Sequence, residues 1–226
     1  MKNNLFYPHL RRHPIEHYYN RNGDFYADYK LNYDLVSADC LKRCVYCDAT
    51  ERECGGDKFS LDHFRPVKIF TNKFNGILNI HPYNLYLSCQ KCNVLKSSDW
   101  HGCCEKIDSY TYIDRKGYID RFAVDVSRFI SVDNDGQIIS LLVDSPVDYM
   151  VAKLHLNRLN RVFLRKKRIV DYRVSNFVEQ LDLCTDELIG KYKSGSMSAE
   201  DALKKIERLR GLQNELCQIG VGRTDR

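Results

Sequence analysis

Two kinds of apolar spacing divide the chain. Up to about residue 143 the apolar positions come in short runs broken by turn residues; beyond Ser145-Pro146 they fall near helical intervals. In the first part, FSLDHFRPV predicts a short strand that Pro66 ends. NKFNG predicts a turn, and HPYNLYLSC a second extended segment in which Leu85 and Leu87 alternate with polar neighbours. From Cys92, NVLKSSD predicts a helix before Trp100-His101-Gly102. FISV and IISLLV flank Asp133-Asn134-Asp135-Gly136, a hairpin pattern. In the second part, Val147, Val151, Leu154, Arg158, Val162 and Ile169 predict a helix with Ser145 as N-cap and Pro146 in its first turn. A last helix is predicted from Ser198, with Asp201 as a weak capping box and Leu203, Ile206, Leu209, Leu212 and Leu216 as its stripe.

The expected fold class is therefore α+β. An N-terminal extension (1–39) precedes a cysteine-rich core (40–120), followed by a hairpin and a mostly helical region (121–226). Residues 1–39 are rich in Tyr and His with no clear period, and helix and extended chain are both open there. There is no internal repeat, low-complexity segment or long flexible linker.

Composition narrows the class. A chain of 226 residues, 43% hydrophobic and 29% charged, suits one globular core with a smaller attached part. No apolar run approaches the roughly 18 residues that span a bilayer. MKNNLFYPHLRRHP lacks the apolar stretch of a secretory signal, so the cytosol is the expected compartment. The net charge of +5 is a mild bias toward polyanions, but residues 153–173 concentrate eight Lys or Arg against one Asp.

In a reducing compartment the ten cysteines read as metal ligands before disulfides. Cys44 and Cys47 form one C-x2-C hook and Cys89 and Cys92 another, a set that suits one tetrahedral structural zinc. A redox pair or unligated buried thiols are the alternatives. Cys40, Cys54, Cys103 and Cys104 have no equally good partners, although a second site with His101 is conceivable; Cys184 and Cys217 lie in helical stretches and read as core. Such a zinc would bring Asp62-His63 close to the segment that carries Asn84 and Asn93.

LDHFRP, PYNLYLSC and CQKCNVLKSS, in that order and between those hooks, resemble the HNH endonuclease motif, the zinc-bracketed form of the ββα-metal (His-Me finger) fold. The resemblance covers roughly residues 44–98. It implies a β-hairpin followed by a helix, with His63 as general base, Asp62 and Asn93 as ligands of a catalytic Mg²⁺ or Mn²⁺, and Asn84 tying the hairpin loop together. The chemistry fits: an imidazole titrates near neutral pH, and hard oxygen donors suit Mg²⁺. Many members carry His at the position of Asn93, and this chain has the Asn variant. Arg65, Lys68 and Lys96 are candidate phosphate contacts, and His81, beside Pro82, reads as a loop residue.

LHLNR at 154–158 with the cluster Arg165-Lys166-Lys167-Arg168 is more loosely similar to the HNH subunits of Septu-type and retron-associated anti-phage systems. That likeness implies an ATPase partner and DNA as substrate. The basic stretch reads equally as a phosphate-binding face, a partner-docking face or a solvated helix surface. Two other functions stay open: cleavage of RNA, tRNA included, and a non-catalytic zinc module that binds nucleic acid or protein.

Overall fold

The computed structural model describes residues 5–18 and 29–221, with the side chains of 5–18 and 30–216. Most of the tyrosine-rich stretch, residues 19–28, and the side chain of Cys217 lie outside the described residues. The chain divides into two compact units, Met1–Arg165 and Lys166–Arg226. The boundary falls inside a helix, whereas the sequence suggested one at 120/121, ahead of the 130–140 hairpin. That hairpin belongs to the first unit because Asn157 holds it: its Oδ1 accepts from Ile138 N (2.8 Å) and its Nδ2 donates to Ile138 O (3.0 Å).

The first unit mixes α and β. It contains α1 (Tyr33–Asp39), β1 (Ser60–His63), α2 (Val67–Phe70), β2 (Leu85–Ser88) and α3 (Gln90–Lys96). Two small hairpins follow, β3 (Tyr112–Ile113) with β4 (Lys116–Gly117) and β5 (Ile130–Val132) with β6 (Ile138–Ser140), then α4 (Val147–Lys153) and the start of α5 (Leu159–Lys193). The second unit holds the rest of α5 and α6 (Ala199–Val221).

β1 and β2 pair antiparallel, with Asp62 opposite Tyr86 and His63 opposite Leu85. β1 stops before Pro66, which caps α2. The chain returns through tight turns in which Asn75 and Gly76 are left-handed (φ 55° and 72°), conformations that Asn and Gly adopt most readily. The Leu85/Leu87 alternation suggested a strand with one polar face, but all four residues of β2 are buried. Tyr86 reaches that interior because its hydroxyl donates to Asp120 Oδ1 (2.7 Å). The free edge of β2 is closed by Val45 N on Leu87 O (2.9 Å), Leu87 N on Cys40 Sγ (3.4 Å) and Arg12 Nη2 on Leu85 O (2.9 Å). Phe64 is fully buried, stacked on Tyr86 at 4.6 Å and edge-on to Trp100 at 5.5 Å. Burying such a ring stabilises by about 1.5–3 kcal/mol.

Three helix boundaries depart from the pattern. α3 starts two residues before Cys92 and ends at Lys96, because Ser97 turns out of the helix (φ 48°, ψ −128°). The helix predicted from Pro146 through Ile169 is two helices: after Lys153 the chain turns at left-handed His155, and α5 begins at Leu159. The turn delivers Leu154 and Leu156 fully into the core, so their apolar character serves tertiary packing and not a helix face. α6 starts as expected, with Ser198 Oγ accepting from Asp201 N (3.1 Å) and donating to Asp201 Oδ2 (2.7 Å).

In the second unit, Gln213 Nε2 donates to Asp182 Oδ1 (3.0 Å), and the one buried residue among those described is Ala202. Cys184 is exposed there and is not the core residue its helical position suggested. No described helix is long and apolar enough to cross a membrane.

Candidate functional site

The two C-x2-C hooks meet. The Sγ atoms of Cys44, Cys47, Cys89 and Cys92 all lie within 4.8 Å of one another, and all four residues are buried. Zn–S bonds of about 2.3 Å in a tetrahedron put sulfurs about 3.8 Å apart. Cys47 Sγ and Cys89 Sγ are 3.7 Å apart, so the geometry and the soft donor set fit a structural zinc. The first hook is shaped by Asp48 N donating to Cys44 O (2.9 Å) and Cys44 N to Ala49 O (2.8 Å), with Asp48 left-handed. The second opens α3, where Asn93 N donates to Cys89 O (3.0 Å).

The remaining cysteines go elsewhere. Cys40 accepts from Leu87 N; Cys103 accepts from Glu105 N (3.4 Å); and His101 meets the Tyr149 hydroxyl (3.0 Å). Among the described residues the four-thiol group is the one set of three or more metal-binding side chains. Cys54 lies at its border. Arg161 Nη2 is 2.8 Å from Cys54 Sγ and 4.0 Å from Cys89 Sγ, and Arg161 is buried. A buried guanidinium offsets the negative charge that four thiolates and a divalent ion carry together.

A cleft of about 380 Å³ opens between β1, α2 and α3 and is lined by Asp62, His63, Lys68, Asn93 and Ser97, among others. Nε2 of the His63 imidazole lies 2.8 Å from the carbonyl oxygen of Asn79. A carbonyl only accepts, so Nε2 carries the proton and the neutral ring has its lone pair on Nδ1. This is the tautomer control that a general base needs, supplied by a backbone atom that no side-chain pattern reveals.

Asp62 is 5% exposed. Tyr46 donates its hydroxyl to Asp62 Oδ2 (2.5 Å), and Lys96 Nζ lies 3.1 Å from Oδ2 and 3.3 Å from Oδ1. Lys96 also donates to the carbonyl of His63 (2.8 Å). Burial raises the Asp62 pKa against the opposing pull of Lys96 and Tyr46, and burial lowers that of Lys96 against Asp62. The carboxylate is thus at the cleft but already held by two donors, so a cation there would share it with Lys96.

Asn84 is 2% exposed and makes three hydrogen bonds: Oδ1 accepts from Arg65 N (2.8 Å), and Nδ2 donates to Arg65 O (3.0 Å) and Leu78 O (2.8 Å). These bonds pin the end of β1 to the returning loop. Asn93 sits on α3 and lines the cleft with Asp62 and His63. His81 caps the turn before β2, its Nδ1 accepting from Tyr83 N (3.1 Å).

Of the three candidate phosphate contacts, only Lys68 is an exposed residue of the cleft. Lys96 is fully buried against Asp62 and has no access to a ligand's phosphate in this arrangement. Arg65 is buried and turns to a different cavity, where its guanidinium donates to the Ile107 carbonyl.

No family model, curated protein or solved structure matches this chain.

Part of the 154–168 stretch is structural. Arg165 is 2% exposed and bonds Gly136 O (2.6 Å), Leu156 O (3.0 Å) and Asn157 Oδ1 (3.0 Å), while Arg161 serves the thiol cluster. Two of the cations that suggested a basic face therefore point inward. Sequence reasoning missed Tyr46, Asn79 and Arg161. Tyr46 lies inside the first hook, two residues from Cys44, where sequence order already marks it; the other two act through backbone placement or a contact across more than a hundred residues.

Proposed function

We propose that the chain is a metal-dependent nuclease that hydrolyses phosphodiester bonds of DNA at the Asp62–His63–Asn93 cleft. The observation that carries this reading is the convergence of those three residues, from β1 and α3, around an imidazole whose Nε2 is tied to Asn79 O. His63 Nδ1 would take the proton of the attacking water. Asp62 and Asn93 would hold a Mg²⁺ or Mn²⁺ ion, which when bound stabilises charge on the phosphate and leaving oxygen. Asn84 and the four-thiol zinc site would keep β1 and α3 in place, and Lys68 would meet the substrate backbone.

The looser likeness of the 154–168 segment supports a role in anti-phage defence with an ATPase partner, and RNA is the alternative substrate. One observation favours a non-catalytic zinc module instead: Asp62 is already engaged by Tyr46 and Lys96. Incubating zinc-loaded protein with plasmid DNA or structured RNA, with Mg²⁺ or Mn²⁺, tests these readings. DNA cleavage supports the proposal, cleavage of RNA alone moves it to the alternative substrate, and inertness toward both leaves the binding module.

A further inference from the structure

A second cavity of the first unit is separate from the cleft. It measures about 750 Å³, within the range of small-molecule sites. Two arginines line it, and each has a buried Nε–H with no hydrogen-bond partner. Arg12 is otherwise satisfied. It pairs with Asp39 (3.4 Å), donates to Tyr83 O (3.1 Å) and Leu85 O (2.9 Å), and lies over Phe122 with Cζ 3.7 Å from the ring centre. Arg65 is not. It is 8% exposed, its guanidinium donates to one carbonyl, and it lies 5.5 Å from the Trp100 ring. Among the described residues no carboxylate comes within ion-pair distance of it. An aromatic face attracts a cation but replaces only part of its lost hydration. A buried guanidinium without a counter-ion, at the wall of a cavity, is a site for an anion.

The rest of the lining narrows the anion's class. Phe122, Tyr83 and the Arg12 guanidinium, whose Cζ lies 3.7 Å from the Phe122 ring centre, bring planar π surface to the lining, against which a flat ring can stack. Asp108 and Asp120 bring carboxylates to the same cavity. An aromatic carboxylate would offer these acids nothing to bind. A ligand with an anionic group, a flat heterocycle and several O–H or N–H donors matches all three features. We propose that this cavity binds a nucleotide, its phosphate on Arg65 and its base along the Arg12–Phe122 wall. The same unit is presented by a free mononucleotide and by the end of a nucleic-acid strand. The proposal stands on the cavity alone and does not depend on the nuclease reading.

Trp100 is the only tryptophan of the chain and lies beside Arg65, which makes it a reporter. The test is titration of the full-length, zinc-loaded protein with AMP, followed by Trp100 fluorescence, with inorganic phosphate and adenosine as comparisons. The expected result is a saturating change with AMP, with phosphate and adenosine each weaker by about tenfold or more. Arg65→Gln, shown to be folded by circular dichroism, weakens AMP by about tenfold or more. Should Arg65→Gln not fold, Arg65→Lys replaces it, because the fork is lost while the charge is kept. His63→Ala, in the other cleft, binds AMP as wild type does, which separates this site from the proposed nuclease site. Competition by a 5′-phosphorylated oligonucleotide assigns the site to a strand end; failure to compete assigns it to the free nucleotide. A wild-type protein that shows no saturation with AMP to about 1 mM overturns the proposal, as does phosphate alone binding as tightly as AMP.

Discussion

The ammonium of Lys96 lies 3.1 Å from Asp62 Oδ2, and neither residue is more than slightly exposed. The pair joins α3 to β1 and places the one buried lysine of the cleft region directly behind its one buried carboxylate. Desolvating both charges costs more than their attraction returns unless the geometry and extra hydrogen bonds are good. Here Tyr46 and the His63 carbonyl supply those bonds. Lys96→Met is expected to destabilise the fold by about 3–5 kcal/mol, because Asp62 is left as an unpaired buried charge. Adding Asp62→Asn should recover part of that loss, since the uncompensated charge is then gone. Denaturant unfolding of the two single variants and the double variant measures this; simple additivity would show that the two residues do not depend on each other.

The thiol cluster predicts one zinc per chain, lost with Cys47→Ser or Cys89→Ser, and a fall in melting temperature on chelation. Arg161→Gln should keep the four ligands but lower zinc affinity by about 10–100-fold, as loss of an outer partner does. Competition with a chromophoric chelator reads both effects. Equal affinity in wild type and Arg161→Gln would remove the guanidinium from any part in the site.

Asn84 is expected to behave as a clamp and not as a chemical participant. Asn84→Ala leaves the Arg65 amide and two carbonyls without their partner, a loss of about 2–3 kcal/mol. Asn84→Asp keeps the acceptor for Arg65 N but loses both donors, so it should fall between alanine and wild type or fare worse if its charge stays buried. Thermal unfolding beside a metal-content measurement tests the claim. A variant with wild-type stability would show that the loop is held by other contacts.

His81 gives the pH dependence a sign. Burial, aided by the nearby positive charge of Arg12, lowers its pKa below the ordinary value of 6.5. The unfolded chain therefore binds a proton more readily than the folded one between the two values. The His81 contribution is complete above about pH 6.5 and is lost as pH falls through the lowered folded value. His81→Asn keeps an acceptor for Tyr83 N but does not titrate, so its stability should depend less on pH across that window. Equal pH slopes in variant and wild type would contradict this.

What was legible in the sequence follows from what spacing encodes. Two C-x2-C hooks announce themselves because both members of each pair are local, and the strand carrying Asp62 and His63 is marked by its apolar neighbours and by Pro66. The Ser198–Asp201 cap is likewise local. Side-chain direction is not. Lys96 and Arg65 looked like surface cations because lysine and arginine usually are, and only the tertiary packing turns one toward Asp62 and the other toward a separate cavity. Arg161 and Arg165 looked like members of a basic face for the same reason. The break at His155 was hidden because Leu154 and Leu156 match a helical stripe closely enough while serving the core from a turn. The partner of His63 is a backbone carbonyl, and every residue has one.

The most direct measurement is single-turnover cleavage of DNA and of RNA by wild type and His63→Ala, with zinc content and circular dichroism matched. The account predicts metal-dependent cleavage of DNA by wild type and a rate lower by about 10²–10⁴-fold in the variant, the usual contribution of a general base. Wild-type protein with no activity on either substrate, or a variant that cleaves as fast as wild type, would contradict it.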